Sequence, residues 1–331
     1  MKIAVVGSYG VGETMRTKRF PGPGETMTGG VLTVGHGGKG ANQAIAVRRL
    51  GVEVSLLTAI GDDASAERAI NLWDSEGIET SQVLRVDGAK TMTGMIIVDD
   101  EAENRIVIAP GALDHFSASD VRARAEAIES ADALIVCLEI PIDAACEALR
   151  IGHEAGLLTV LNPAPAAPVP AEVLSCVDVI TPNFSEARAL LSDDSGASDS
   201  SDAGDETSAP GAAREEDAVE LAAALHTATG CRVVLTHGGD GSIVADAHGV
   251  RTVAPHPPTD LVDTTGAGDS FTGALTVALL EGDDLETAAV RAAEVGSYVV
   301  ARQEVIPALP HRSELSERLW SQQTQHDTTE S

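Results

Sequence analysis

The sequence predicts an α/β protein with a doubly wound, mostly parallel sheet and helices on both of its faces. Short runs rich in β-branched residues alternate with helical segments along most of the 331 residues, and this alternation is typical of successive βαβ units. Hydrophobic residues make up 43% of the chain, but aromatic residues only 2%. Aliphatic side chains must therefore fill the core, which suits helices packed closely against a parallel sheet.

The elements follow one another in a regular order. Strands are predicted at short apolar runs such as KIAVVG, and helices are predicted in the segments between them. The predicted strands lie at 2–7, 52–61, 131–140, 157–163, 177–183 and 231–239. The predicted helices lie at 40–51, 65–77, 119–130, 142–156 and 218–230.

Two segments interrupt the alternation. Residues 13–34 and 91–110 contain short strand-like runs and turns, such as FPGPGE and VDDEAEN, with no helix between them. We expect them to pair as a small separate sheet that forms a lid over a cleft. The α/β core then comprises residues 1–12, 35–90 and 111–331.

A long insertion is predicted within the core. Residues 192–217 are acidic and of low complexity, so they bury too little apolar surface to fold and are expected to be disordered. The chain after about residue 320 is expected to be a loose tail.

The charge of the chain excludes some partners. The formal net charge is −29, from 51 acidic and 22 basic residues, and only Lys2, Lys18, Lys39 and Lys90 are lysines. Such a surface repels nucleic acids and anionic membranes, so neither is expected as a partner. An acidic, lysine-poor surface also suggests a halophilic protein adapted to a salty cytoplasm, where salt screens the self-repulsion.

The cysteines point to a reducing compartment. Cys137, Cys146, Cys176 and Cys231 show no CxxC pairing and lie among apolar neighbours, so buried free thiols are expected. The apolar run at the N-terminus is too short for a signal peptide, and no segment reaches 18 apolar residues. The predicted localisation is cytoplasmic.

The stretch DTTGAGDSFTGALTVALLEG, residues 263–282, carries the strongest chemical signal. Its second half has helix-like apolar spacing, which places Gly266, Ala267 and Gly268 at the helix N-terminus. Main-chain N–H groups there lack intrahelical partners and form an anion hole. Asp269 beside such a hole could accept a proton from an attacking hydroxyl. Taken alone, such a motif more often carries an acidic residue that only stabilises a helix N-terminus, and the other motifs favour the catalytic interpretation.

A second glycine cluster, GHGGKGANQA at 35–44, also opens onto a helix. It is not a Walker A loop, because Lys39 is followed by Gly40 and not by serine or threonine. Lys39 and Asn42 on a glycine-rich turn suit the hydroxyl or phosphate groups of a polar ligand. The alternative is a plain turn and helix start.

Polar residues end three further strands. In TPNFSEA, Asn183 and Glu186 lie three residues apart and could hold water around Mg²⁺, or could form a helix capping box. Glu139 in IVCLEIP and the LNPAP segment at 161–165 also end strands. Ligands of open α/β sheets bind at that edge.

These pieces together resemble the ribokinase-like family of sugar kinases, also called PfkB carbohydrate kinases, and within it the ribokinases. The resemblance covers about residues 2–315. The motifs that carry it are PGPGET (21–26), GGKGANQA (37–44), LNPAPA (161–166), TPNFSEA (181–187), LTHGGDGS (235–242) and DTTGAGDSFTGAL (263–275).

The resemblance implies ATP-dependent transfer of a phosphoryl group to a primary hydroxyl. Asp269 matches the catalytic base of the family, and the amides of Gly266, Ala267 and Gly268 match its anion hole. Catalysis of this kind is mostly positioning and charge stabilisation. The positions that match sugar contacts are Gly38, Lys39, Asn42, Glu139 and Asp269 itself.

The same resemblance implies a nucleotide and metal site. Asn183 and Glu186 match the NxxE motif near Mg²⁺, and family members use Mg²⁺ with ATP. The nucleotide-binding positions are Asn183, Thr236, Gly238, Gly241 and Gly268. Family members often dimerise through their β-sheet lid, so a homodimer is expected.

One departure from the family bears on the substrate. Ribokinases usually carry an Asn-x-Asp pair that grips the hydroxyls of ribose, but those positions are Gly10 and Gly12 here. Their free N–H groups and the cations Arg16 and Lys18 could bind a phosphate instead. The favoured substrate is therefore ribose 1-phosphate, phosphorylated on its 5-hydroxyl. The alternative is that Arg16 and Lys18 are exposed lid residues that touch nothing. Free ribose is the alternative, followed by a nucleoside.

A second departure concerns a monovalent cation. Ribokinases bind K⁺ between the region of Asp263 and Thr265 and a C-terminal loop that contains glycine and serine. Glu304 and Ala308 stand at about those loop positions here, so activation by K⁺ is left open.

Two other classes of protein are weighed against the kinase. A catalytically silent nucleotide-binding protein on the same fold is disfavoured because Asp269 and its anion loop are intact. A dehydrogenase would need a GxGxxG fingerprint after the first strand, which GSYGVGE lacks.

Overall fold

The computed structural model describes residues 1–101, 103–192 and 214–320. The strands are β1 (Lys2–Val6), β2 (Gly10–Arg16), β3 (Val31–Gly37), β4 (Glu53–Leu57), β5 (Ala59–Ile60), β6 (Leu84–Arg85), β7 (Met92–Val98), β8 (Asn104–Ala109), β9 (Ala133–Cys137), β10 (Leu158–Asn162), β11 (Val179–Ile180), β12 (Arg232–Thr236), β13 (Ser242–Asp246) and β14 (Gly249–Val253).

The helices lie mainly between the strands of the large sheet. They are α1 (Lys39–Arg49), α2 (Ala64–Glu76), α3 (Ala118–Arg122), α4 (Ala125–Glu129), α5 (Ile142–Glu154), α6 (Ala171–Leu174), α7 (Phe184–Leu191), α8 (Glu215–Thr229), α9 (Ala267–Leu280), α10 (Leu285–Val300), α11 (Val305–Ala308) and α12 (Glu317–Trp320). Short 3₁₀ turns lie at Gly111–His115, Gly238–Asp240 and Arg312–Glu314.

An eight-stranded sheet forms the centre, in the order β14-β13-β12-β11-β10-β9-β1-β4. The strands from β4 to β12 run parallel, and β13 and β14 add an antiparallel edge. The prediction of a doubly wound, mostly parallel sheet is confirmed.

Side-chain alternation along the strands places helices on both faces of this sheet. On β1, Ile3 and Val5 belong to the core that contains α1, α2, α9 and α10. Ala4 and Val6 belong to the opposite core, with α3, α4, α5 and α6. Because both faces are covered, the strand is apolar at nearly every position, as the run IAVV shows.

A four-stranded lid lies beside the core, in the order β3-β2-β7-β8. The small sheet was predicted from 13–34 and 91–110, but its strands extend the first segment at both ends, to Gly10 and Gly37. Only residues 7–9 separate β1 from β2. These strand ends are rich in glycine, so the sequence does not show where the core ends and the lid begins.

Other boundaries also differ from the predictions. The helix predicted at 119–130 is two short helices, α3 and α4, and α8 begins at Glu215, inside the predicted insertion. The rest of that insertion, 193–213, and the predicted loose tail, 321–331, lie outside the described residues.

Local features agree with the sequence. All four cysteines are free, with Cys137, Cys146 and Cys231 buried and Cys176 half-buried. In the described ranges, no helix is long and apolar enough to cross a bilayer.

Candidate active site

The N-terminus of α9 presents the predicted base and anion hole. Gly266 is the N-cap residue, with φ of 79°, and the first helical hydrogen bond runs from the Ser270 N–H to the Gly266 carbonyl (2.9 Å). A Cβ at Gly268 would have no atom within 4 Å, so a ligand has room to approach this backbone. Asp269 is buried one residue later.

One amide of the predicted anion hole is already engaged. The Ala267 N–H donates to the Thr264 carbonyl at 3.2 Å. The Gly268 N–H also precedes the first helical hydrogen bond. It is therefore better placed than the Ala267 N–H to meet a phosphate. Gly266 cannot be replaced without movement, since a Cβ there would lie 2.5 Å from Val305 Cγ1.

Two amides from α1 hold the Asp269 carboxylate. Asn42 Nδ2 donates to Asp269 Oδ2 at 2.8 Å, and Gln43 Nε2 lies 3.4 Å from Asp269 Oδ1. These contacts join residues more than 200 positions apart in the chain. They bring the predicted sugar loop to the predicted base.

The loop before α1 packs tightly on the end of β1. Gly38 has φ of 94°, and a Cβ there would lie 2.5 Å from Tyr9 Cα. Gly40 approaches Gly7 equally closely. Only glycine permits this approach, which explains the GGKG sequence.

Glu139 is bound to the same loop. Its Oε2 accepts the Lys39 main-chain N–H at 3.0 Å and a short hydrogen bond from the Ser8 hydroxyl. Lys39 and Asn42 of the first turn of α1, with Gly38 as its N-cap, therefore contact Glu139 at one end and Asp269 at the other. The neighbouring Cys137 is fully buried. Burial, and then the charge of Glu139, raises the pKa of its thiol to about 11, so it is no nucleophile.

The predicted nucleotide motifs meet at the ends of β11 and β12. The Thr236 N–H donates to the Pro182 carbonyl at 2.9 Å, and Thr236 pairs with Asn183 in an isolated bridge. Gly238 opens the 3₁₀ turn that follows. Gly241 has φ of 98°, and a Cβ there would lie 2.3 Å from the Val253 carbonyl.

Asn183 and Glu186 form a reciprocal capping box. Asn183 Oδ1 accepts the Glu186 N–H at 2.9 Å, and Glu186 Oε2 accepts the Asn183 N–H at 2.8 Å. The capping interpretation of this motif is therefore confirmed. The Glu186 carboxylate has several lone-pair sites, so the capping bond that it accepts is compatible with a water-mediated contact to a metal. Over residues 1–101, 103–192 and 214–320, no group of three or more metal-ligating side chains occurs.

The residues predicted to hold a substrate phosphate are spread along β2. Gly10 and Gly12 lie at its inner end, but Arg16 and Lys18 are exposed. Arg16 is four residues beyond Gly12, about 13 Å along an extended strand. Arg16 is the last residue of β2, and Lys18 lies two residues beyond it. Gly10 also has no space for a side chain, since a Cβ there would lie 2.9 Å from the Met92 carbonyl oxygen.

The region predicted for a monovalent cation has an unusual backbone. Asp263 Oδ1 accepts the Thr265 N–H and hydroxyl at 2.9 and 2.7 Å. Among the described non-glycine residues, Glu304 alone has positive φ, at 61°. Ala308, at the other predicted loop position, is buried.

Three polar side chains of the site were not singled out from the sequence. Ser8, Gln43 and Asn162 are all buried and contact Glu139, Asp269 or each other. Gln43 and Asn162 lie inside the motifs GGKGANQA and LNPAPA. The strand-end position of Asn162 is the only signal that could have selected it.

The comparisons with known proteins define the class. The model of the pfkB family carbohydrate kinases matches residues 2–312, so the chain belongs to that family. The ribokinase of Haemophilus influenzae is 33% identical over 317 residues, covering 96% of this chain and 98% of that protein. The ribokinase of Schizosaccharomyces pombe is 32% identical, covering 94% and 95%.

Solved structures agree. The Arabidopsis thaliana ribokinase complexed with ribose and ATP has a TM-score of 0.84 and 25% identity, covering 96% of this chain and 98% of that one. The ribokinase of Thermotoga maritima has a TM-score of 0.78 and 28% identity, covering 94% and 97%. The chain is thus a ribokinase-like carbohydrate kinase, a phosphotransferase with an alcohol group as acceptor.

Proposed function

We propose that the chain transfers the γ-phosphoryl group of ATP to the 5-hydroxyl of free ribose and gives ribose 5-phosphate. The observation that carries this proposal is the position of Asp269. It is buried at the N-terminus of α9, beside the open backbone of Gly268, and is hydrogen-bonded to Asn42 of the sugar loop. In this proposal the base, the anion-binding backbone and the sugar-binding residues adjoin one another.

The proposed chemistry uses few groups. Asp269 accepts the proton of the attacking hydroxyl as the new O–P bond forms and the bond between the γ-phosphorus and ADP breaks. The main-chain N–H groups at the start of α9 stabilise the charge on the transferred group. Glu139, held by Ser8 and the Lys39 amide, orients the sugar.

Mg²⁺ is proposed as the metal that accompanies ATP. Mg²⁺ usually keeps several waters and is bound by phosphates with one or two carboxylates, which suits a chain whose described residues form no metal cage of their own. Asn183 and Glu186 would hold it through water. When bound, it neutralises charge on the phosphates.

Free ribose is preferred over ribose 1-phosphate for two reasons. The relatives are named ribokinases, and Arg16 and Lys18 are exposed at the outer part of the lid. Neither of the two cations assigned to the predicted phosphate site lies at the inner end of β2, where Gly10 and Gly12 are. The two glycines still remove hydroxyl contacts, so we expect a high KM for ribose.

A coupled assay of ADP release tests the substrate. Ribose, ribose 1-phosphate, fructose and nucleosides are compared at low and high salt. The proposal predicts the highest kcat/KM for ribose. A higher value for ribose 1-phosphate or for a nucleoside would replace ribose with that substrate.

The role of Asp269 is tested by Asp269→Asn. This variant keeps the shape of the side chain but cannot accept the proton, so kcat should fall by about 10²–10⁴ while the fold is kept. Measuring kcat together with the circular dichroism spectrum checks both. Turnover near that of the parent protein would refute the assigned role.

We also propose a homodimer formed through the lid. The lid exposes apolar side chains on several strands, and a second copy of the chain could cover them. They are Val31, Leu32, Met95, Ile106, Val107 and Ile108. Analytical ultracentrifugation is expected to give a dimer, and Val107→Lys, which places a charge on this surface, is expected to give a monomer.

A further inference from the structure

We propose that Gln43 is a positioning residue for the proposed base: it holds Oδ1 of Asp269 and leaves Oδ2 to take the proton. This inference rests on the proposed function. Gln43 is completely buried on the first turns of α1. Its Nε2 donates to Asn162 Oδ1 at 3.0 Å and lies 3.4 Å from Asp269 Oδ1.

Asn162 fixes the orientation of the Gln43 side-chain amide. Asn162 Nδ2 donates to the Thr181 carbonyl at 3.1 Å, so Asn162 must turn its oxygen toward Gln43. Only the NH₂ group of Gln43 can face that oxygen, and its second hydrogen then points to Asp269. With the amide reversed, Gln43 Oε1 would face two acceptor oxygens.

The two oxygens of Asp269 are held by residues of different kinds. Oδ2 accepts from Asn42, which is also a proposed sugar contact and whose Oδ1 is buried without a partner. When a sugar hydroxyl takes the place of that amide at Oδ2, Oδ2 is free to accept the hydroxyl proton. Gln43 belongs to no proposed ligand contact, so its bond to Oδ1 can persist through turnover.

Gln43 should also keep Asp269 ionised. A hydrogen bond donated to a carboxylate stabilises the charged form and lowers the pKa of the acid. Loss of the Gln43 donor should therefore raise the pH at which Asp269 becomes a base. A residue that only fills space would not change that pH.

The first test is the pH profile of Gln43→Met, which keeps the volume but removes the donor. We expect kcat to fall about 10-fold or more, the KM for sugar to change little, and the acid limb of kcat to move up by roughly one pH unit. The matched control is Thr276→Val. Thr276 is equally buried on α9, and its hydroxyl donates to the Thr272 carbonyl away from Asp269. This control should lose stability but keep the acid limb.

An unmoved acid limb in Gln43→Met would overturn the proposal. If that variant does not fold, Asn162→Ser is used in its place, because it frees the Gln43 amide to rotate. It should shift the limb in the same direction by a smaller amount, and no shift would again contradict the proposal.

A thermal unfolding cycle tests the contact without activity. Gln43→Met, Asp269→Ala and the double variant are melted without ligand. The Tm loss of the double variant should be smaller than the sum of the single losses, because each single variant already removes the shared hydrogen bond. Additive losses would overturn the contact. Absence of turnover with every sugar would instead refute the proposed function. The thermal unfolding cycle would still test the contact between Gln43 and Asp269, because it does not depend on activity.

Discussion

At the scale of single residues, the cleft depends on where a few polar groups are held. Asp269 accepts hydrogen bonds from the side-chain amides of Asn42 and Gln43. Glu139 accepts hydrogen bonds from the Ser8 hydroxyl and the Lys39 main-chain N–H. Each acid is oriented by groups from another part of the chain. In the proposed reaction these groups would need little rearrangement, which is how preorganised polar groups contribute to catalysis.

Position 12 provides a residue-scale prediction about the sugar. A Cβ at Gly12 would be at an ordinary 3.5 Å from Ile96 Cδ1, so a side chain fits there. The resemblance to ribokinases implies that an acid at this position grips ribose hydroxyls. Gly12→Asp should therefore lower the KM for ribose about tenfold, the scale of one hydrogen bond to a charged group.

The matched control is Gly10→Asn, in which the new Cβ would collide with the Met92 backbone. Steady-state kinetics with ribose should show improvement for Gly12→Asp alone. An unchanged KM in Gly12→Asp would mean that the sugar does not reach this part of the cleft.

The sequence was most informative where function depends on local backbone. Gly266 and Gly38 stand in short motifs and have positive φ, so the tight turns that carry the proposed base and sugar loop could be predicted from the sequence. Gln43 was not selected as a functional residue, because its partner Asp269 lies 226 positions away. Arg16 was assigned to a phosphate site from proximity in sequence, and it lies exposed at the far end of β2, four residues beyond Gly12.

At the scale of secondary-structure elements, α11 packs behind the proposed anion hole. Val305 packs against Gly266, and Arg49 of α1 donates to the Ile306 and Leu309 carbonyls at 2.8 and 2.6 Å. Arg49 is itself paired with Glu76, with both side chains nearly buried. Helix α1, which follows the proposed sugar loop, is thus bound to the segment behind the proposed anion hole.

Glu304, just before α11, provides the element-scale prediction. Its φ of 61° and ψ of 149° fall where a non-glycine residue is strained by about 1–3 kcal/mol. Glu304→Gly relieves that strain but adds freedom to the unfolded chain, so the free energy of unfolding should rise by about 1 kcal/mol. Urea unfolding measures it.

The neighbouring Gln303 is exposed and has no positive φ, so Gln303→Gly is the control and should destabilise. If both variants lost the same stability, the backbone at 304 would not be strained.

Hydrophobic periodicity predicts which segments are helices and which are strands, but it predicts their first and last residues less well. The helix predicted at 119–130 is divided at residues 123–124, because the Arg124 side chain binds the Gln82 and Asp120 carbonyls. The lid strands continue into glycine-rich segments at 10–12 and 35–37, where composition does not mark a strand end. Tertiary contacts set these limits, and a local pattern does not contain them.

At the scale of the whole molecule, the prediction concerns the effect of net charge on the stability of the fold. A net charge of −29 should destabilise the folded state by self-repulsion, and the Debye length falls from about 10 Å at 0.1 M salt to about 3 Å at 1 M. The Tm should therefore rise strongly between 0.1 and 2 M KCl. Sucrose at matched water activity is the control, since it screens no charge. A Tm independent of KCl would contradict the salt adaptation predicted from composition.

The central claim is that this cleft moves a phosphoryl group from ATP to the 5-hydroxyl of ribose with Asp269 as base. The most direct measurement is ³¹P NMR of a reaction with ATP, Mg²⁺ and ribose, run in parallel with Asp269→Asn. We predict a new phosphate monoester signal coupled to the two C5 protons, which Asp269→Asn forms far more slowly. Release of inorganic phosphate alone, or a monoester on another carbon, would contradict the claim.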